Sequence, residues 1–195
     1  MQPNSYRSKH MKQHTKTLNL LYMALFVAVM AICSWVSIPS AVPFTLQTFA
    51  VFCALCLLGG KRGTIAILVY IALGAIGLPV FSGFSGGIGI LLGTTGGYIW
   101  GFLLTGLLYW LITSLLGQRL WVEIAALCAG LALCYAFGTG WYMLVYAGQT
   151  GPIGLGAALA GCVLPFVLPD FAKLALALVI SRRLRPLLSR QHTSN

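Results

Sequence analysis

Acid is nearly absent from this chain: among its 195 residues only Glu123 and Asp170 carry a carboxylate. One acid in each of two distant apolar stretches makes a poor site for a divalent metal, because hard cations take many oxygen ligands. Charge of either sign is scarce as well. Charged residues are 7% of the sequence, against about 25% in a soluble domain, so the chain cannot cover a surface that faces water on all sides. Histidine is missing from the interior, since His10, His14 and His192 all lie near the ends. The Gly83-Phe-Ser-Gly86 match to the Gly-x-Ser-Gly pattern of intramembrane proteases therefore lacks an imidazole to activate its serine. Lys173 is the only substitute base, and a loop of glycines is the simpler account. No nucleotide-binding motif is present, which excludes ATP-driven transport by this chain alone. A lone acid and base also supply neither the rings of charge nor the carbonyl filter of an ion channel.

What the sequence does have is long apolar runs. Hydrophobic residues are 59% of the total. At about 20 apolar residues per spanning helix, the length allows about six spans in one bundle. The expected fold is an all-α integral membrane protein, a six-helix bundle with both termini in the cytoplasm. The net charge of +10 is distributed accordingly. Arg7, Lys9, Lys12 and Lys16 precede the first apolar run, Lys61, Arg62 and Arg119 lie in short turns, and Arg182, Arg183, Arg185 and Arg190 follow the last run. Only Lys173 lies within a run. Six spans place every other basic residue inside, and leave the outer connections near 39–47, 81–97 and 147–152 without one, as the positive-inside rule requires. No basic residue interleaves with aromatics along a groove-sized surface, so nucleic acid is not a partner.

Residues 1–17 read as a polar, basic cytoplasmic tail. No cleavage site follows the first apolar run, which is long for a signal peptide, so it reads as a retained helix from about Leu18 to Ile38. Ala24 and Ala28 stand one turn apart on it, with Ala31 on nearly the same face, and small residues at that spacing let another helix approach closely. Pro39 and Pro43 end the helix. A second span, led by Pro43-Phe-Thr-Leu-Gln-Thr48, runs to Leu58. The basic turn Gly59–Gly63 leads to a third span, Thr64 to Val80, and an uncharged glycine-rich outer loop, Ser82–Gly97, follows. The fourth span is Tyr98 to Leu116 and the fifth Leu120 to about Tyr146. Glu123, four residues after Arg119, is expected to form a surface pair with it. Tyr98, Trp100, Tyr142 and Tyr146 are expected at one membrane interface, and Trp110 and Trp121 nearer the other. The six cysteines, Cys33, Cys53, Cys56, Cys128, Cys134 and Cys162, all fall in apolar segments. Cys53-x-x-Cys56 has no second pair or histidine beside it, so all six read as buried thiols and no metal is expected.

Residues 151–182 are too many for one straight span, and Pro165 and Pro169 interrupt them. The reading is a short horizontal or re-entrant segment at about Ile153–Leu164, a break, and a final helix starting at Pro169. Asp170 then falls in the first turn, where the helix dipole favours an acid, with Lys173 on the same face. The membrane domain spans 18–187, with 188–195 a cytoplasmic tail. An ionisable side chain within the bilayer is a functional-site hypothesis by default; the alternative is a pair that neutralises itself and only packs. Thr45, Gln47, Ser82, Ser85 and Tyr98 add polar groups to a mostly apolar setting, the composition of a ligand pocket. Such a pocket opens outward. No catalytic residue is assigned.

At these residues the chain resembles the BioY family, the biotin-binding membrane subunits of energy-coupling-factor (ECF) vitamin transporters. The matching pieces are Pro43-Phe-Thr-Leu-Gln-Thr48, Gly74-Ala-Ile-Gly-Leu-Pro-Val-Phe81, Ser85-Gly-Gly87, Gly93 with Gly96-Gly-Tyr98, and Pro165-Phe166 followed by Asp170-x-x-Lys173. They run in family order across about residues 18–185. The resemblance implies a six-helix S component in a prokaryotic plasma membrane that binds biotin from outside, with Asp170 and Lys173 in the biotin site. It also implies transport with a transmembrane coupling protein, docked on Ala24 and Ala28, and a pair of ATP-binding-cassette ATPases. ATP belongs to those partners, and no cofactor is implied for this chain. The sequence departs from the family pattern at Gly93-Thr-Thr-Gly-Gly97 and at Leu168-Pro169-Asp170, where the family often has Gly-Pro-Thr-Gly-Gly and Pro-Gly-Asp. An S component for a different vitamin is the alternative, since fold and partner surface could be shared while the pocket differs.

Overall fold

A backbone surrounded by hydrocarbon must satisfy its own N–H and C=O groups, and a helix does so within one segment. The computed structural model follows that rule. It describes the backbone of residues 4–39 and 42–193, and side chains for 16–39 and 42–186. The side chains of Arg7, Lys9, Lys12, Arg190 and the three histidines, and residues 1–3 and 194–195 of the expected tails, lie outside the described residues. In chain order the elements are α1 (Asn4–Trp35), β1 (Ser37–Ile38), β2 (Phe44–Thr45), α2 (Gln47–Leu58), α3 (Gly60–Ala75), a 3-10 turn (Ser82–Phe84), α4 (Ile88–Leu92), α5 (Gly96–Leu116), α6 (Leu120–Gln149), α7 (Leu155–Cys162) and α8 (Leu164–Thr193). Among the described residues four helical stretches are long and apolar enough to cross a membrane: Lys16–Trp35, α5, α6 and Leu164–Pro186. At 12 and 16 residues, α2 and α3 fall short of the usual span of about 20.

The bundle is organised around α5 and α6, which pack along one another, with α3 also on α5. Glycine makes that approach possible. A Cβ at Gly101 of α5 would lie 2.6 Å from the Cys134 sulfur of α6, and one at Gly130 of α6 would lie 2.6 Å from the Thr105 methyl carbon of α5. Between them the Thr105 hydroxyl donates to the carbonyls of Gly101 at 2.9 Å and Gly130 at 2.8 Å, a small-residue, hydroxyl-bridged contact of the kind membrane helices use. On the other side α2 packs on α8, α1 covers α2 and α3, and α7 bridges α6 and α8.

Several expectations are corrected. The first helix begins at Asn4 and ends at Trp35, and residues 37–38 pair with 44–45 in a two-stranded antiparallel ribbon, Ser37 opposite Thr45. Strands of two residues are too short to leave a periodic signal. The basic turn contracts to Gly59, whose φ of +80° is a glycine conformation, so Lys61 and Arg62 fall in the first turn of α3. The last helix starts at Leu164 rather than at Pro169, because the Val163 carbonyl already accepts the amides of Phe166 and Val167 and winds the first turn. Pro169 is internal and Asp170 lies beyond the first turn, which removes the helix-dipole argument for it. Glu123 does not sit at the surface with Arg119. It is 2% exposed and pairs with Arg185 at 2.6 Å; a buried carboxylate needs a strong partner, and Arg119 is exposed. Tyr98 and Tyr142 are buried inside the bundle rather than in an aromatic belt, while Trp110 and Trp121 are exposed. Ala31 is buried, whereas Ala24 and Ala28 are exposed on α1.

Candidate binding site

Asp170 and Lys173, three residues apart on α8, share a helix face and form an ion pair of 2.8 Å. Both are buried, at 4% and 7% exposure. Two charges removed from water need further hydrogen bonds to be tolerated, and each has one. The second carboxylate oxygen of Asp170 accepts from the Tyr135 hydroxyl of α6 at 2.6 Å. The Lys173 ammonium donates to the Thr45 carbonyl of β2 at 2.7 Å and lies 4.2 Å from the centre of the Phe44 ring, within cation–π range. Phe44 in turn stacks on Phe166 near the start of α8, with ring centres 5.9 Å apart.

The remaining polar groups are held just as firmly. Thr45 accepts the Gln47 amide on its hydroxyl at 3.2 Å. The Gln47 side-chain amide donates to the Tyr70 hydroxyl at 2.9 Å, which donates to the Val80 carbonyl at 2.8 Å. Ser34 of α1 donates to that same carbonyl at 2.6 Å. One carbonyl in the 76–81 connection thus ties α1, α2 and α3 together beside the site. In the glycine-rich segment Ser85 donates to the Ser82 carbonyl at 2.7 Å, and the Phe81 amide donates to the Ser85 carbonyl at 2.9 Å. The Tyr98 and Thr139 hydroxyls meet at 3.0 Å.

These groups surround one cavity of about 840 Å³, its open mouth included. That lies within the usual range for small-ligand sites. Thr45, Gln47, Ser82, Ser85, Tyr98, Asp170 and Lys173 all line it, so the structure gathers from four separate stretches of chain the seven residues expected in a pocket. Tyr135, Thr48 and Thr95 also line it and were missed. A signal for Tyr135 existed: it lies in the middle of a long apolar helix, away from the ends where interfacial tyrosines collect. Apolar walls come from Phe81, Ile90, Phe102, Leu131 and Phe166. Ala24 and Ala28 are not part of the cavity. Among the described residues no cluster of three or more His, Cys, Asp or Glu residues could hold a metal ion.

The fold and the cavity define an all-helical, multi-pass membrane protein with a ligand-sized pocket. Comparison with known proteins gives the family. The BioY family model matches residues 8–190. The biotin transporter BioY of Thermotoga maritima is 38% identical over 169 residues, covering 86% of this chain and 96% of the relative. The probable biotin transporter BioY of Pyrococcus horikoshii is 38% identical over 172 residues, 87% of this chain and 98% of the relative. The crystal structure of an S-component for biotin from an ECF-type ABC transporter superposes with a TM-score of 0.77 at 31% identity, covering 89% of this chain and 93% of that one. The chain belongs to the BioY family.

Proposed function

We propose that this protein is the substrate-capturing membrane subunit of a biotin uptake system, a binding protein rather than an enzyme. The observation that carries the reading is the buried Asp170–Lys173 pair, held at 2.8 Å at the wall of an otherwise apolar cavity. It is supported by membership of a family whose relatives are described as biotin transporters. Biotin offers a ureido ring that donates and accepts hydrogen bonds, an apolar bicycle and a carboxylate. Asp170 can accept from a ureido N–H, and Lys173 can donate to the ureido oxygen or the carboxylate. Gln47, Thr45, Ser82, Ser85 and Tyr98 supply further polar contacts, while Phe81 and Phe166 cover the bicycle.

In this reading α1, α2, α3, α5, α6 and α8 are six crossings with both termini in the cytoplasm of a prokaryotic cell. α7 is the short horizontal segment, and residues 76–95 form the outer loop. The membrane domain is 18–187, flanked by tails at 1–17 and 188–195. Lys61, Arg62, Arg119, Arg182 and Arg183 then share the cytoplasmic end. The protein itself carries no cofactor. Energy comes from a pair of ABC ATPases through a coupling protein, which docks on the exposed Ala24 and Ala28 strip of α1. The deciding test is titration calorimetry of purified protein with biotin, thiamine, riboflavin and niacin. Saturable binding of biotin alone is expected; binding of another vitamin in its place, or of none, would overturn the reading.

A further inference from the structure

Arg185 lies well away from the cavity, yet it ties together the same helices that form it. Its guanidinium donates from Nε at 2.9 Å and from Nη2 at 2.5 Å to the Cys56 carbonyl, in the last turn of α2. That carbonyl is one of the terminal groups a helix cannot satisfy internally, and a cation there also suits the helix dipole. Nη2 donates as well to Glu123 at 2.6 Å, an acid in the first turn of α6, the end that favours negative charge. Arg185 therefore joins the end of α2 to the start of α6 from α8.

The arrangement repeats at the site. There Lys173 joins α8 to Thr45, just ahead of α2, and Asp170 joins α8 to Tyr135 of α6. α8 is thus tied to α2 and α6 twice, at levels separated by the 12 residues from Lys173 to Arg185, about 18 Å of helix. Backbone packing explains why the ties matter. α8 packs broadly on α2, whereas α6 packs on α5 and α7 and not closely on α8. Besides the bridge through α7, these two side-chain links join α6 to α8 directly. Pro169 immediately precedes Asp170 and Pro186 immediately follows Arg185. Each proline removes one backbone hydrogen bond, so the helix between them is a continuous rod with a weakened ladder at either end. A shift of Arg185 along its axis is carried to Asp170 and Lys173.

We infer that Arg185, held by Glu123 and the Cys56 carbonyl, is a positioning residue for the biotin site: it sets the height and rotation of α8, and through them the placement of Asp170 and Lys173. The inference rests on the biotin-capture reading. Its test is calorimetric measurement of the biotin Kd on the folded, monodisperse fraction of five proteins: wild type, Arg185→Lys, Tyr135→Phe, Arg185→Lys/Tyr135→Phe and the charge-free Glu123→Gln/Arg185→Met. The charge-free variant removes both charges together, so no buried charge is orphaned. It is expected to fold and to bind biotin about tenfold more weakly, within the range of coupling between separate sites, with Arg185→Lys intermediate. Arg185→Lys combined with Tyr135→Phe supplies a readout that a purely structural role would not move. If both act on the placement of α8, their losses in affinity do not multiply; independent sites give the product to within about twofold. Wild-type binding by Glu123→Gln/Arg185→Met, or losses that multiply in Arg185→Lys/Tyr135→Phe, overturns the inference. Should the charge-free variant not fold, wild-type affinity in Arg185→Lys overturns it equally. Wild-type protein that binds no biotin refutes the functional reading itself, whereas wild-type binding with unchanged variants refutes only the role of Arg185.

Discussion

Tyr135 and Lys173 hold opposite oxygens of one carboxylate: the phenol donates to Asp170 Oδ2 at 2.6 Å and the ammonium to Oδ1 at 2.8 Å. Asp170 is thereby fixed in one orientation before any ligand arrives. A pocket whose polar groups are already immobilised spends less binding free energy on ordering them.

Substitutions at the site follow from that geometry. Asp170→Asn keeps the shape but removes the charge that two donors share, and hydrogen bonds to charged groups contribute about 1.5–3 kcal/mol. Biotin affinity is expected to fall about 10- to 100-fold while the protein stays folded. Lys173→Ala leaves Asp170 unpaired and costs affinity as well as stability. Radiolabelled biotin binding and thermal unfolding of the purified variants check both; wild-type affinity in Asp170→Asn would remove that residue from the site.

The α5–α6 seam predicts a loss of stability without a change in chemistry. A methyl at Gly101 would meet the Cys134 sulfur at 2.6 Å, so Gly101→Ala must push the helices apart. Overpacking of this kind costs about 1–3 kcal/mol. The thermal midpoint in detergent is expected to drop, and Gly101→Ala/Cys134→Ala should recover part of it. A single variant as stable as wild type would show that the seam is loosely packed.

Two buried hydroxyls invite the opposite experiment. Tyr109 and Ser181 bury their oxygens with no hydrogen-bond partner among the described residues. Leaving a buried polar group unsatisfied costs about 1–3 kcal/mol, so Tyr109→Phe and Ser181→Ala should leave the thermal midpoint unchanged or raise it. A clear fall in either variant would show that the hydroxyl has a partner, for which the neighbouring Cys56 thiol is the candidate.

On α1, bulk at the exposed small-residue strip should separate binding from transport. Ala24→Trp and Ala28→Trp lie outside the cavity and are expected to bind biotin as wild type does. The same variants should fail to co-purify with the coupling protein and to support uptake. Normal co-purification would move the docking surface elsewhere.

The chemistry of the site was legible in the sequence where it was expensive. An acid and a base in an apolar run stand out because lipid penalises them, and the neighbouring Thr45, Gln47, Ser82 and Ser85 stand out by polarity. Tyr135 was marked only by its place in mid-span, a weak signal until its hydroxyl is seen against a carboxylate. Glu123 misled for a different reason. Arg119, four residues away, satisfies the local pairing rule, while the true partner Arg185 is 62 residues distant and becomes a neighbour only when α8 folds back beside α2. The start of α8 was misplaced because either of two prolines fits a first turn, and the choice between them lies in which amides the Val163 carbonyl receives.

Lys173 grips the chain at position 45 through a main-chain oxygen, in a strand of two residues whose partner is another strand of two. Every amino acid supplies that oxygen, so point substitution at Thr45 leaves the contact standing and a systematic alanine survey would pass over it. Chain length is a different matter. One residue added or deleted between Ile38 and Gln47 would turn the strand over and swing the carbonyl away from the ammonium. For this one contact a change of residue at position 45 is neutral, whereas a change in the length of the connection is not.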